Sequence, residues 1–391
     1  MPAHPVSDGC PGILTLHAAR DGHVARIRLP GGYVTPAQWM ALTALAADFG
    51  NGCLDLTARG NVQVRGLSLT VAGSLAQRAA RAGLLPSGAH DRSRNITASP
   101  LAGLGGRPRL RRLVRALDTA IVADPALATL PGRFLCAVDD GTGGAGLAGS
   151  DVGVRRAGKH AEMVVAGRLT RVRLPAGHAV QAVVTAARAA IGCGVGSLVT
   201  RVADLADGGA AVTAAIGGEL RPPAPAREGR LSLGLHDESG TAVLVAAAPL
   251  GRLDGRQAAL LGRLLRPGEV LRLAAAGRVV VPLAVPPAAA LPVLADAGLY
   301  SSGLLVSDDE DLAGVTACSG MACRQAVADV RAAARPLPGH GHLHWAACPR
   351  GCGRPPDAEL VVAAGPDSFD VWSSSQRLAA AQPECLPAGV S

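Results

Sequence analysis

Residues 54–66 read LDLTARGNVQVRG, and residues 271–283 read LRLAAAGRVVVPL. Each is two short alternating runs around a glycine-containing turn, Gly60 or Gly277, a pattern that predicts a β-hairpin. Before the first hairpin, Ala25, Ile27 and Leu29 alternate with Arg26 and Arg28, as in a half-buried strand. Thr35-Pro36-Ala37-Gln38 then forms a capping box with proline at the first helical position, and opens a helix to about Phe49. Before the second hairpin, Asp254 stands three residues ahead of Gln257 and repeats the device. Glycine signals stop both helices, Gly50-Asn51-Gly52 and Pro267-Gly268. After the hairpins come Ala/Leu-rich helices near 74–85 and 288–299. The segment Leu16–Gly88 thus reappears, weakly, as Leu235–Gly303, and a β-α-β-β-α unit occurs twice.

The two copies differ in chemistry. The first tip carries Arg59 and Asn61, and the strand after it carries Gln63 and Arg65 on the same face. The second copy has Ala276, Arg278, Val280 and Pro282 at those positions. The reading is that the first hairpin keeps a binding role while the second keeps the fold.

Between the copies, residues 90–215 read as an α/β module, opened by His90-Asp91-Arg92-Ser93-Arg94-Asn95 and containing LPGRFLCAVDDG at 130–141. A linker with Pro222, Pro223 and Pro225 leads to the second copy, and the last 85 or so residues read as a second module of the same kind. Two glycine-rich stretches, GTGGAGLAGS at 141–150 and GCGVGS at 192–197, lack the strand–glycines–helix order of a dinucleotide fingerprint.

Composition narrows the function classes. The chain has 391 residues, 49% hydrophobic and 17% charged, which excludes a disordered chain. It carries a net charge of +8, and among its basic residues only Lys159 is a lysine. Residues 1–120 hold 14 Arg against 6 Asp and no Glu, so the whole excess sits in the first third. Only 2% of residues are aromatic, and they are scattered, which argues against stacking platforms for RNA or single strands. Asp8 and two prolines interrupt the start, and the most apolar stretch, 279–295, is broken by Pro282, Pro286, Pro287 and Pro292. A cytoplasmic protein with no secretory leader and no membrane span is expected.

Nine cysteines, an odd number, do not make a complete disulfide framework. Five are dispersed and read as buried small hydrophobes: Cys10, Cys53, Cys136, Cys193 and Cys385. The other four form two pairs. Four residues separate Cys318 from Cys323, three separate Cys348 from Cys352, and 24 lie between the pairs. Their glycine and proline neighbours suit loops around a [4Fe–4S] cluster or a structural zinc. A helix is expected just after Cys323, near 324–334. His340, His342 and His344 alternate just before Cys348. They are candidates to ligate a mononuclear iron, to line a substrate pocket, or to serve as hydrogen-bonded surface groups.

The hairpin TARGNVQVRG, the segment RSRNITASPLAG, LPGRFLCAVDDG and the two cysteine pairs, in this order, resemble the nitrite/sulfite reductase superfamily. Within it, DGCPGILTLHAARDGHVARIRLPGG at 8–32 and the late HWAACPRGCGRP are most similar to the cobalamin-pathway branch, the precorrin-3B synthases. The resemblance covers nearly the whole chain. It implies an α+β fold of two pseudo-symmetric halves, each a ferredoxin-like unit plus an α/β module. The expected boundaries are 12–88 and 90–215 for the first half, 216–228 for the linker, and 229–303 and 307–391 for the second.

The resemblance also assigns roles. Cys318, Cys323, Cys348 and Cys352 fall on the family's [4Fe–4S] ligands, and Cys352 on the one that bridges to sirohaem iron. The first pair encloses five residues in the family and four here. Arg59 and Arg94 match two anion-site arginines, while the family's Lys-x-Lys pair is replaced by Arg133 and Leu135. Losing one cation fits a site remodelled for a carboxylate-rich tetrapyrrole, which arginine forks suit. The implied activity is an iron–sulfur monooxygenase that hydroxylates precorrin-3A with dioxygen and forms a γ-lactone. Arg59, Arg65, Arg94 and Arg133 would hold carboxylates, with Arg59, Asn61, Gln63 and Arg94 at the reacting centre. Electrons would come from an external NAD(P)H-dependent reductase or a ferredoxin, with mononuclear iron or sirohaem as a further cofactor. No nucleic-acid or membrane partner is expected. The alternatives are a sirohaem-dependent sulfite or nitrite reductase, and a non-catalytic homologue that binds a tetrapyrrole or zinc.

Overall fold

The hairpins at 54–66 and 271–283 each form the inner part of a five-stranded sheet, and each sheet is completed by the other copy. The computed structural model describes residues 9–222, 231–355, 357–373 and 376–381. Pro223 and Pro225 of the linker, and Cys385, lie outside the described residues.

The first unit runs β1 (His17–Ala19), β2 (Gly22–Ile27), β3 (Tyr33–Val34), α1 (Pro36–Phe49), β4 (Leu54–Leu56), β5 (Val62–Leu67) and α2 (Ala72–Arg81). A module follows with β6 (Ile96–Ala98), α3 (Arg111–Val122), β7 (Cys136–Asp139), β8 (Val152–Ala157), β9 (His160–Val165), β10 (Arg168–Pro175), α4 (Ala179–Gly192) and α5 (Ala210–Ala214). The second unit has β11 (Gly234–Glu238), β12 (Thr241–Ala247), β13 (Arg252–Leu253), α6 (Gly255–Leu264), β14 (Leu271–Leu273), β15 (Arg278–Pro282) and α7 (Pro287–Asp296). The last module has β16 (Val315–Ala317), α8 (Val330–Ala333), β17 (Leu343–Ala346), β18 (Glu359–Ala363), β19 (Phe369–Ser373) and β20 (Gln376–Ala381). The mixed α+β class expected from the sequence is what is observed.

The unit sheets have the orders β1-β2-β5-β4-β13 and β11-β12-β15-β14-β3. Each borrows its last strand from the other copy: Arg252 and Leu253 pair with Asp55 and Leu54, and Tyr33 and Val34 pair with Arg272 and Leu271. Helices α1 and α6 share one core across the same seam, where Trp39, 1% exposed, donates its indole N–H to the carbonyl of Ala258 at 2.8 Å. Both expected capping boxes are present, Thr35 with Gln38 and Asp254 with Gln257.

Helices α2 and α7 end earlier than their composition predicts. Gly83 and Gly298, at φ of +69° and +77°, turn the chain left-handed, and Leu84 and Leu299 then fold back into the core. The helix expected over 324–334 shrinks to the single turn of α8. The amide of Val327 bonds to the Ala347 carbonyl at 3.0 Å instead of a helical partner, and Asp329 caps a fresh start by accepting from Arg331 and Ala332.

The two modules share one topology. In each, the first three strands run parallel (β6-β7-β8 and β16-β17-β18), and the last two return antiparallel. The stretch after the glycine-rich segment 141–150 is the strand pair β8–β9, not the helix that a dinucleotide fingerprint needs. Among the described residues no helix is long and apolar enough to cross a membrane.

Candidate active site and cysteine centre

Both hairpin tips reach one cavity of ≈ 250 Å³ at the seam. The first tip is pressed onto the opposite unit, since a Cβ on Gly60 (φ +65°) would lie 2.7 Å from the Leu273 carbonyl oxygen. The cavity wall takes Arg59 from the first tip, Arg278 from the second, Leu135 and Arg201 from the first module, and Arg354 and Asp357 from the last. The glycine-rich loop supplies Gly144, Gly146 and Gly149, whose missing side chains leave room there. The second copy therefore does more than keep the fold: Leu273–Ala276 and Arg278 form part of the wall.

The structure separates the polar residues expected at the site. Arg59 donates from Nη1 to the Arg133 carbonyl at 3.0 Å, and burial together with nearby Arg201 pushes its pKa down to about 10. The Arg133 side chain is exposed. Asn61 is buried, accepts from the Leu29 amide at 2.9 Å and donates to Asn95 at 3.0 Å, so it fixes the hairpin to β2 and to the first module. Gln63 sits against Arg26 and accepts from its Nε at 3.1 Å and Nη2 at 2.6 Å. Arg65, 5% exposed, makes a two-pronged ion pair with Asp21 at 3.0 Å on each side. Arg94 does the same with Asp118 at 2.8 and 2.9 Å. Arg65 and Arg94 thus already have carboxylate partners within the chain, and neither is part of the cavity wall.

Three charged wall residues, Arg201, Arg354 and Asp357, were not expected from the sequence. Arg201 is held by the buried carboxylate of Asp151 at 2.8 Å, which also accepts from the amides of Leu135 and Val202. Burial raises the Asp151 carboxyl even though Arg201 opposes the shift. Arg354 donates from Nε to the Ala358 carbonyl at 2.7 Å. Arg201 is far from the hairpin in sequence and stands in no motif, while Arg354 lies in HWAACPRGCGRP with nothing local but its proximity to Cys352 to mark it as a wall residue.

The cysteine pairs come together at the carboxyl ends of β16 and β17, where parallel sheets present their sites. Cys318 Sγ accepts from the amides of Ala347 at 3.3 Å and Gly320 at 3.4 Å, and Cys323 Sγ from Gln325 at 3.4 Å. Burial pushes the Cys318 thiol up, those amides oppose it, and neighbouring Cys348 and Cys323 add to the rise. Cys352 is exposed, yet partial desolvation of its sulfur also raises the thiol, with Cys348, Cys318 and Cys323 adding to the rise. Amides aimed at sulfur, and thiols close enough to feel one another, fit a group that takes four thiolates at once. Among the described residues no three His, Cys, Asp or Glu side chains converge closely enough to hold a single metal ion.

The alternating histidines diverge. His344 is buried, its pKa pushed down to about 4 by desolvation, and it bridges Thr316 at 2.9 Å and the Cys352 carbonyl at 3.1 Å. His342 pairs with Asp357 on the cavity wall, and His340 with Glu359.

Residues 17–82 match the family described as the nitrite/sulfite reductase ferredoxin-like half domain. Over these residues the first unit is similar to such a half domain. The chain is 34% identical over 122 residues to a ferredoxin–nitrite reductase of Leptolyngbya laminosa, covering 29% of this chain and 24% of that protein. It is 35% identical over 115 residues to a precorrin-3B synthase of a Sinorhizobium species, covering 28% and 24%. The chain thus matches only about a quarter of the length of these relatives. The NirA protein of Mycobacterium tuberculosis superposes with a TM-score of 0.71 over 92% of this chain and 77% of its own, at 17% identity. The half domain and the shared fold support the nitrite/sulfite reductase superfamily, whose relatives here are oxidoreductases.

Proposed function

We propose that this chain is a precorrin-3B synthase-like monooxygenase of the cytoplasm, which hydroxylates precorrin-3A and closes a γ-lactone from its ring A acetate. The observation that carries this reading is the cavity wall. Arg59, Arg201, Arg278 and Arg354 surround it, yet apolar Leu135 stands where a reductase cage would need a cation. A small anion wants charge on every side, whereas an amphipathic macrocycle wants guanidinium groups for its carboxylates beside apolar surface for its ring. At ≈ 250 Å³ the cavity suits one edge of such a macrocycle rather than the whole of it.

Cys318, Cys323, Cys348 and Cys352 would hold a [4Fe–4S] cluster, which supplies one-electron transfer when bound. Overall, substrate and dioxygen, with two electrons and two protons, give water and a product with one added oxygen atom: a ring-to-meso C=C opens, the meso carbon gains the hydroxyl, and the adjacent ring carbon bonds to the acetate carboxyl oxygen, whose proton passes to the new hydroxyl, while the electrons come from an external NAD(P)H-dependent reductase or a ferredoxin. Arg59 and the exposed Arg133 take substrate carboxylates. The Asn61–Asn95 bond and the Asp151–Arg201 pair keep the wall rigid. Arg65 and Arg94, already paired with carboxylates, support the loops behind it. Asp357, held by His342, places a carboxylate on the wall to orient pyrrole N–H groups.

Anaerobic incubation with precorrin-3A and a reductant, followed by oxygen, should raise the product mass by one oxygen atom. Arg59→Ala should weaken tetrapyrrole binding by roughly tenfold, the loss of one charge-assisted contact. Unchanged affinity would remove Arg59 from the site. The ferredoxin–nitrite reductase match favours a second reading, a sirohaem-dependent nitrite or sulfite reductase. Strong visible sirohaem bands in the purified protein, together with sulfite or nitrite reduction, would establish that reading instead.

A further inference from the structure

The loop CSGMAC, residues 318–323, is pinned at both ends by guanidinium groups. At the Cys318 end, Arg331 Nη1 donates to the Cys318 carbonyl at 3.2 Å and to the Leu250 carbonyl of the second unit at 3.1 Å. The stem of Arg331 also covers the loop, since a Cβ on Gly320 would meet its Cγ at 3.0 Å. At the other end, the Ala322 carbonyl accepts from Arg65 Nη2 at 3.2 Å and from the Arg20 amide at 2.9 Å. Arg65 is itself immobilised by Asp21 and lies 3.9 Å from Asp55, which Arg252 grips with two bonds. The loop is therefore tied to both units at once.

We infer that Arg65 and Arg331 are positioning residues that hold the short Cys318–Cys323 loop in ligand-ready form and raise the electron affinity of the cluster. This rests on the reading above that the four thiols hold a [4Fe–4S] cluster. A loop one residue shorter than the superfamily's has less slack to wrap a cluster. Its conformational entropy must be lost beforehand, and two clamps on its end carbonyls, buried Arg65 and half-buried Arg331, do that during folding. The same two groups place positive charge beside the ligand peptides. An added electron makes the cluster more negative, so these charges stabilise the reduced state in a partly buried setting. Arg65 on this account serves the cysteines rather than a substrate carboxylate.

The test uses the full chain as Arg65→Met, Arg331→Met and Arg331→Gln variants, each in two forms. In the cluster-free protein, alkylation of Cys318 and Cys323 by iodoacetamide is followed by mass spectrometry. Both Met variants should react about tenfold faster, the scale of one lost charged hydrogen bond, while Arg331→Gln, which keeps a donor, should stay near the natural rate. In the anaerobically reconstituted protein, the cluster's reduction potential should fall in all three variants, because all lose the charge. Unchanged labelling and unchanged potential in both Met variants would overturn the inference. A gain in tenfold range for tetrapyrrole dissociation in Arg65→Met, with labelling unmoved, would return Arg65 to the substrate. If the natural chain takes up no cluster, the functional reading fails, and the labelling rates still decide the clamp.

Discussion

The two α/β modules place the same hydrogen bond at the same point of the same sheet, once on oxygen and once on sulfur. In the first module, the residue after β6 is Ser99; its amide bonds to the Val138 carbonyl, and its hydroxyl accepts from the Asp140 amide at 3.1 Å. In the last module, the residue after β16 is Cys318; its amide bonds to the Trp345 carbonyl, and its sulfur accepts from the Ala347 amide at 3.3 Å. The strand registers agree, Thr97 facing Ala137 in one and Thr316 facing His344 in the other. In the first module, Ser99 also donates to Asp139, whose other oxygen accepts from the amides of Gly141 and Gly143, so the network is closed on itself. In the last, the matching positions are Ala346 and Ala347, and the sulfur is left with acceptor capacity and thiol neighbours. One scaffold thus gives either a network closed on itself or a sulfur open to further partners, according to whether a carboxylate or a methyl group ends the second strand.

The largest effect is expected for Cys318→Ser, which copies Ser99: bound iron and sulfide should fall by more than about tenfold, while the urea midpoint of the cluster-free chain stays put. Full iron uptake would dissolve the equivalence. Asp139→Ala strips a 1%-exposed carboxylate from three donors and should cost about 3 kcal/mol in urea unfolding.

In the last module His344 fills the place that Ala137 takes in the first, and its titration makes stability depend on pH. Its ordinary value is 6.5 and burial brings it to about 4 in the folded chain. Above pH 6.5 it is neutral in both states. As pH falls from 6.5 towards 4, the unfolded chain takes a proton that the folded chain refuses, so stability declines, by about 3 kcal/mol in total. His344→Ala should flatten the unfolding midpoint across that window. The smallest effect lies in the repeated hairpins. Ala276 sits at φ +56°, a conformation costly for a residue with a side chain, so Ala276→Gly should raise the stability by about 1 kcal/mol in the same unfolding assay.

Much of this was legible in the sequence because it is local. Capping boxes, hairpin turns and the alternation around Val62 and Val64 depend on neighbours a few residues apart, and all appear in the fold. The cysteine pairs were legible because spacing and glycines are local too. The exchange of β3 and β13 was not, since a two-residue strand carries no period to read. Nor were Arg201 and Arg354, which reach the cavity only because sheets distant in sequence meet there. Arg65 and Arg94 stood out as cations, but their partners Asp21 and Asp118 lie 44 and 24 residues away, beyond the reach of any periodicity.

The exchanged strands also bear on how the chain is made. Leu54 finds its edge partner in Leu253, so the first sheet waits for nearly two hundred further residues before its edge is closed. Until then it presents an open row of backbone donors and acceptors, the template on which nascent chains misassociate. Contacts this distant in sequence also slow the search for the native pairing. Folding should therefore be post-translational and all-or-none across the two units, and fragments cut at the proline-rich linker should aggregate rather than fold as halves.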